Sequence, residues 1–267
     1  MVYKDQKHPN TIDSLKKDFN KLGLENGMTI IVHSSLKSLG YVCGGPVAVI
    51  EALMATVGSE GTIVMPTQSG DLSDPAFWEN PPVPKEWWEI IRNEMPAYDP
   101  RTTPTMAMGK IVECFRTYDG VIRSSHPTVS FAAWGNNKQY IIEEHSLDFS
   151  LCEKSPLQKL YDIGAYILLI GVDYENNTSL HLSECRANAC FTIHQGSPVL
   201  ENGVRVWKEY EDFIYDSDRF NEIGCDFEKQ YSISVGKVGK AECRLIPMRQ
   251  LVDFGTVWLE SWKNSQK

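Results

Sequence analysis

The sequence contains no cysteine pair at redox or metal-binding spacing. Its seven cysteines fall at positions 43, 114, 152, 185, 190, 225 and 243. An odd number at irregular intervals excludes a dithiol motif and reads as reduced thiols in a reducing compartment. Neither HExxH nor a Cys/His quartet occurs, so no structural or catalytic zinc site is expected. The GxSxG elbow of an ordinary α/β-hydrolase is missing. So are the P-loop and GxGxxG strings that cradle nucleotide phosphates. Long apolar runs are also lacking. The longest, Ala165 to Val172, is far too short to cross a bilayer. The opening residues, MVYKDQKHPN, are polar and carry no apolar signal core. These absences lead to the expectation of a cytoplasmic protein with no membrane partner. Basic residues are in deficit, with 26 Lys and Arg against 35 Asp and Glu for a net charge of −9. Phosphate backbones require a basic stripe, so no nucleic-acid partner is expected.

What remains is enough for a substantial core: 267 residues, 42% of them hydrophobic. Ile12, Leu15, Phe19 and Leu22 fall at helical spacing between a capping Thr11 and a terminating Gly23. Met28 to Val32 reads as a buried strand ending at His33-Ser34-Ser35. Pro46 suits the first turn of a helix that runs to Val57, and Thr62 to Met65 reads as a second buried strand. The strand–loop–helix–strand order predicts a parallel βαβ crossover. Residues 69–86 read as a surface excursion, and Trp87 to Met95 and Met106 to Tyr118 as helices. Val129 to Trp134 reads as a strand, followed by a short helix that Ser155 caps at Pro156. Ala165 to Val172 is the most strand-like segment and is expected at the centre of the sheet. A helix over 179–190 follows.

Further on, Asn202-Gly203 signals a hairpin. Phe220 to Phe227 reads as a helix. Tyr231 to Val235 and Ala241 to Ile246 read as paired strands around a turn at Gly236–Gly239. A last helix is expected over 249–262. The expected fold is one α/β domain over residues 1–267, with a mixed sheet, a parallel βαβ core and an antiparallel C-terminal addition.

Three constellations carry chemistry. The first leaves the carboxyl end of the presumed central strand, where open α/β sheets place ligands. It holds Glu175, His181 and Glu184. If the segment is helical, His181 and Glu184 share one face at i,i+3, and a carboxylate beside an imidazole fixes its tautomer. An isolated HxxE is more often a surface histidine beside a solvated carboxylate, and the same pair could equally serve a hydrolase. The second constellation is Arg123-Ser124-Ser125-His126-Pro127 with Phe131 downstream. The third is His33-Ser34-Ser35-Leu36 with Gly44-Gly45, a strand-to-helix loop able to receive a phosphate or amide-rich ligand.

Taken together, the strings IVHSSLKSLG, CGGPVAVIEALM, GTIVMPTQS, TPTMAMG, RSSHPTVSFAAWG, SPLQKLYDIGAYILLIGV and TSLHLSE resemble, in order, the aminoglycoside 3-N-acetyltransferase family. IGCDFE and LVDFGTVW extend the likeness over nearly the whole chain, and the arrangement is most similar to a Bacillus-type branch. The Q/RxxGxG/A phosphate loop of GNAT acetyltransferases does not occur. The resemblance implies a three-layer α/β/α fold, acetyl-CoA as cosubstrate, no metal, a small cationic amine (the 3-amino group of an aminoglycoside) as acceptor, and direct transfer without an enzyme-bound acetyl group. It leaves a homodimer open.

By position, the resemblance makes His181 the general base and Glu184 its carboxylate. Glu175 stands where many members carry Asp. His33, Ser34, Ser35, Leu36, Gly44, Gly45, Thr67, Arg123, His126 and Phe131 become candidates for the acetyl-CoA channel. Backbone N–H groups of the His33–Leu36 loop would serve as oxyanion donors. The acid-rich stretch 209–228, in which Arg219 is the only base, reads either as a wall for a cationic acceptor or as a solvated face.

Overall fold

The fold was analysed in a computed structural model, which describes residues 6–265. Half of the N-terminal segment read for a targeting signal therefore lies outside the described residues. Thr11 caps α1 (Ile12–Leu22) through a reciprocal side-chain box with Ser14, and Gly23 ends it in the left-handed conformation. The next elements are β1 (Thr29–Ser34), α2 (Gly45–Val57) and β2 (Thr62–Pro66). After a stretch of short 3-10 turns come α3 (Trp88–Glu94), α4 (Gly109–Phe115), β3 (Ile122–Arg123), β4 (Phe131–Gly135), α5 (Lys138–Ile142), α6 (Pro156–Asp162) and β5 (Tyr166–Ile170). The C-terminal third holds α7 (Leu180–Arg186), β6 (Phe191–Glu201), β7 (Val204–Ile214), α8 (Phe220–Gln230), β8 (Ser234–Val238), β9 (Ala241–Pro247) and α9 (Met248–Ser265).

Seven strands form one sheet in the order β3-β4-β2-β1-β5-β9-β8. β1 runs parallel to both β2 and β5, and the outer strands are antiparallel. Strand side chains alternate between faces, and the apolar sequence fills both. Ile30, Val32, Ile63, Met65, Leu168 and Ile170 pack with α1, α2 and α4. Ile31, Val64, Ile167, Leu169 and Ile246 pack beneath α5 to α9. The sheet is thus the middle of three layers.

The sequence placed β5 at the centre, but β1 is the middle strand, because β9 covers the far side of β5. An all-apolar run records burial on two faces, not rank within a sheet. The antiparallel C-terminal addition divides in two. β8 and β9 extend the main sheet, whereas β6 and β7 form a separate two-stranded arm. Asn202 and Gly203, both at positive φ, turn that arm, as the Asn-Gly signal predicts. The β8–β9 turn lies at Gly239-Lys240, since Val238 already pairs with Ala241. The helix expected over 106–118 shrinks to α4, because Ala107 and Gly109 are at positive φ. The one expected over 179–190 ends at Arg186, two residues before left-handed Asn188. Among the described residues, no helix is long and apolar enough to cross a membrane.

Candidate active site

The carboxyl ends of β1, β2 and β5 open on one side of the sheet, and β1 is the strand from which connections diverge. Such switch points leave a crevice. Here the crevice is a cleft of about 860 Å³, within the roughly 300–1,000 Å³ range of small-molecule sites. β1 contributes His33 and Ser34, followed by Ser35, Leu36 and Lys37. Pro66 and Gln68 come from the end of β2, and Glu175, Thr178 and His181 follow β5. Gly45 at the start of α2 and Met108, Gly109 and Lys110 at the start of α4 close the other side.

The loop after β5 takes its course from Gly171, which has φ of +60° and a Cα so close to Ser38 that a Cβ would stand 2.3 Å from that side chain. Ser38 Oγ donates to the Gly171 carbonyl at 3.0 Å and binds the loops after β1 and β5 together. Asn177 Oδ1 accepts from the Ser179 N–H at 3.2 Å and sets the start of α7. Leu180 and Leu182 sink into the lower core, which turns His181 toward the cleft. His181 Nδ1 lies 2.6 Å from Glu184 Oε2, as the i,i+3 spacing predicts. The carboxylate is buried, and its other oxygen accepts the Asp216 N–H at 3.2 Å. Tyr215 and Phe220 flank the imidazole at centroid distances of 5.1 and 4.9 Å. With Nδ1 donating to Glu184, Nε2 is the nitrogen left to exchange protons.

α7 is anchored twice more. Ser183 Oγ donates to the Val252 carbonyl at 3.0 Å beside Gly255, where a Cβ would come within 2.8 Å of that hydroxyl oxygen. Cys185 is joined to Cys152 in a disulfide with a Cα–Cα distance of 5.6 Å. The expectation of seven reduced thiols is therefore overturned for two of them. Irregular spacing carried no trace of a pair that tertiary packing brings together across 33 residues.

The structure brings His33, Ser34, Ser35, Leu36, Gly45, Glu175 and His181 to the cleft, with Glu184 behind His181. Glu175 is exposed, and its N–H is held by Asn221 Oδ1. Gly44, Thr67, Arg123, His126 and Phe131 are set apart from it. Gly44 precedes α2 as its cap, so Gly45 is the glycine on the cleft wall. Arg123 is buried and spends its nitrogens on Thr67, Ser69, Ser130 and the Thr103 carbonyl. It ties the end of β2 to the 103–106 segment from behind. His126 packs on His145 at 4.9 Å and lies 3.1 Å from the Leu147 carbonyl through Nε2. Phe131 belongs to the lower core.

Of the acid-rich stretch, only Ser217 lines the cleft. Asp212 is buried on Ser150, and Asp216 reaches Glu184 through its backbone, not its carboxylate. The Ser35 N–H, expected among free donors, is taken by the Ile170 carbonyl at 2.9 Å because the parallel ladder runs one residue past β1. Lys37, Lys110 and Gln68 were missed. Each sits inside or beside a quoted string, but the helix expected from Met106 hid the true start of α4 at Gly109 and with it the place of Lys110 on the cleft wall.

The model of the aminoglycoside 3-N-acetyltransferase family matches residues 31–260. The chain belongs to this family. It is therefore an enzyme of the acyltransferase class. The SPbeta prophage-derived aminoglycoside N(3')-acetyltransferase-like protein YokD of Bacillus subtilis is 51% identical over 94% of this chain and 92% of its own length. Its crystal structure superposes with a TM-score of 0.97 at 48% identity, covering 100% of this chain and 98% of that one. Aminoglycoside N(3)-acetyltransferase VII of Streptomyces paromomycinus is 34% identical over 94% of this chain and 92% of its own. The structure titled AAC-IIIb binary with CoASH matches with a TM-score of 0.86 at 29% identity, over 96% of this chain and 98% of that one.

Proposed function

We propose that this chain transfers the acetyl group of acetyl-CoA to a ring amine of an aminoglycoside, in a direct step with His181 as general base. The observation that carries this reading is the buried Glu184 fixed on His181 Nδ1, beside the cleft that His181 lines, in a chain of this family. An ammonium group has no lone pair for attack. A histidine with one nitrogen held by a carboxylate is suited to taking its proton. The amine nitrogen bonds the thioester carbon to give a tetrahedral intermediate, and the C–S bond breaks as that intermediate collapses. The electron pair leaves on the CoA sulfur, which takes the proton from His181.

The donor's phosphates suit the side of the cleft where α2 begins at Gly45 and where Lys37 and Lys110 stand, since helix N-termini and cations both favour anions. The slender thiol arm would then run past Ser34 and Ser35 to His181. Glu175, exposed where it lines the cleft after β5, would meet a cationic acceptor. The likeness to a protein solved with CoASH supports the donor, and the named relatives support the acceptor. The reaction would make the protein an antibiotic-resistance determinant of the cytoplasm, where acetyl-CoA is found.

Incubation with acetyl-CoA and a panel of aminoglycosides and polyamines tests the reading by mass spectrometry. The expected product is an aminoglycoside heavier by one acetyl group, formed equally well in the presence of a chelator. Acetylation confined to polyamines would move the acceptor class. Turnover without CoA would make the protein a hydrolase.

A further inference from the structure

His33 occupies the carboxyl end of the middle strand, on the same face of the sheet as Ile31 and hence on the side that carries α7. It lines the cleft and is only 6% exposed, and its Nε2 is buried with no hydrogen-bond partner among the described residues. Native proteins rarely leave such an atom unpaired, because an orphaned buried polar group costs stability. At a reaction site, the orphan marks a partner that arrives with the substrate. Of the neighbouring backbone donors, the Ser35 N–H is already committed to the Ile170 carbonyl. Burial first, and His181 nearby second, hold the His33 imidazole down at about 3. It stays neutral while His181 takes a proton. A neutral imidazole keeps one N–H to donate and does not compete for the proton of the amine.

We propose that His33 is a second catalytic residue, donating a hydrogen bond from its neutral ring to the thioester carbonyl oxygen as that oxygen becomes an oxyanion. The assignment rests on the acetyl-transfer reading. When the amine nitrogen bonds the carbonyl carbon, the π pair moves onto oxygen and His33 stabilises it. When the intermediate collapses, C=O re-forms and the C–S pair leaves with the CoA sulfur.

His33→Met and His33→Gln test the assignment, because the two replacements have the same length and only Gln carries N–H donors. His33→Met is expected to lower kcat by about 10²–10³-fold. Its KM for acetyl-CoA should stay within about threefold and its Tm should equal or exceed that of the parent, since the orphaned atom is gone. His33→Gln should recover part of the lost kcat. Wild-type kcat in His33→Met, beside an inactive His181→Ala, overturns the assignment alone. A loss in Ser34→Ala with none in His33→Met moves the donor to Ser34, whose Oγ is also unpartnered. Collapse of Tm in both His33 variants makes the residue structural and overturns the proposal. A parent enzyme that releases no CoA with any amine defeats the acetyl-transfer reading itself.

Discussion

At the scale of single residues, the proposed reaction separates groups that would do chemistry from groups that would hold them. Glu184 is of the second kind. Its two oxygens grip the imidazole and the Asp216 N–H. Glu184→Gln should therefore lower kcat by less than loss of His181 does, about tenfold, while KM for acetyl-CoA stays near the parent value. An unchanged kcat would release Glu184 from any part in orienting the base. Lys37 and Lys110 are solvated, and single exposed charge contacts contribute up to about 1 kcal/mol. Lys37→Ala or Lys110→Ala should raise KM for acetyl-CoA up to about fivefold at unchanged kcat, an effect that shrinks with added salt. A fall in kcat alone would contradict their placement on the phosphates. The sequence disclosed His181 and Glu184 because helical spacing decides their contact. Arg123 could not be placed from sequence, since nothing in RSSHP tells which way its side chain turns. Thr67, Ser69 and Ser130, which capture it, lie as far as 56 residues away.

At the scale of elements, α7 is a seven-residue helix that depends on its neighbours for position. The Cys152–Cys185 disulfide closes a span of 33 residues, for which chain entropy suggests about 3–4 kcal/mol of stabilisation. Cys152→Ser, or reduction with a dithiol, should lower Tm clearly while most kcat survives in the folded enzyme. An unaltered Tm in non-reducing buffer would mean that the bridge is not formed in the protein. Gly255→Val tests the other anchor. The added side chain must displace Ser183 on α7, so both Tm and kcat should fall. A variant with parental kcat would show that α7 tolerates the shift. Helix α1 was legible to the residue because Thr11 and Gly23 punctuate it. Helix α4 was not, because a positive φ at Ala107 leaves no mark in composition.

At the scale of the whole molecule, three buried histidines make the fold acid-sensitive. Burial holds His33 at about 3 and His126 at about 4, and it puts His145 well below the ordinary histidine range. The unfolded chain takes these protons near 6.5. Between pH 6.5 and about 4 the unfolded state therefore binds more protons, and stability falls as pH falls, by up to about 1.4 kcal/mol per pH unit for each histidine. Above pH 6.5 this contribution is fully present. Asp212, whose buried carboxyl is raised, offsets part of the loss at the acid end. Urea midpoints should drop steeply from pH 6.5 to 4.5 and stay flat from 7 to 8. A flat profile down to pH 4.5 would contradict the burial of these rings. The parallel β1–α2–β2 unit was readable from apolar runs and caps, and the layered α/β/α architecture from the resemblance alone. Strand order was not, because runs buried on both faces, such as β1 and β5, are interchangeable to a sequence until their neighbours are known.

The proposed reaction rests on one proton acceptor, and His181→Ala with a verified aminoglycoside acceptor tests it. The account predicts a kcat lower by roughly 10²–10⁴-fold, with acetyl-CoA affinity and Tm close to those of the parent. A well-folded His181→Ala enzyme that acetylates at the parental rate would contradict it.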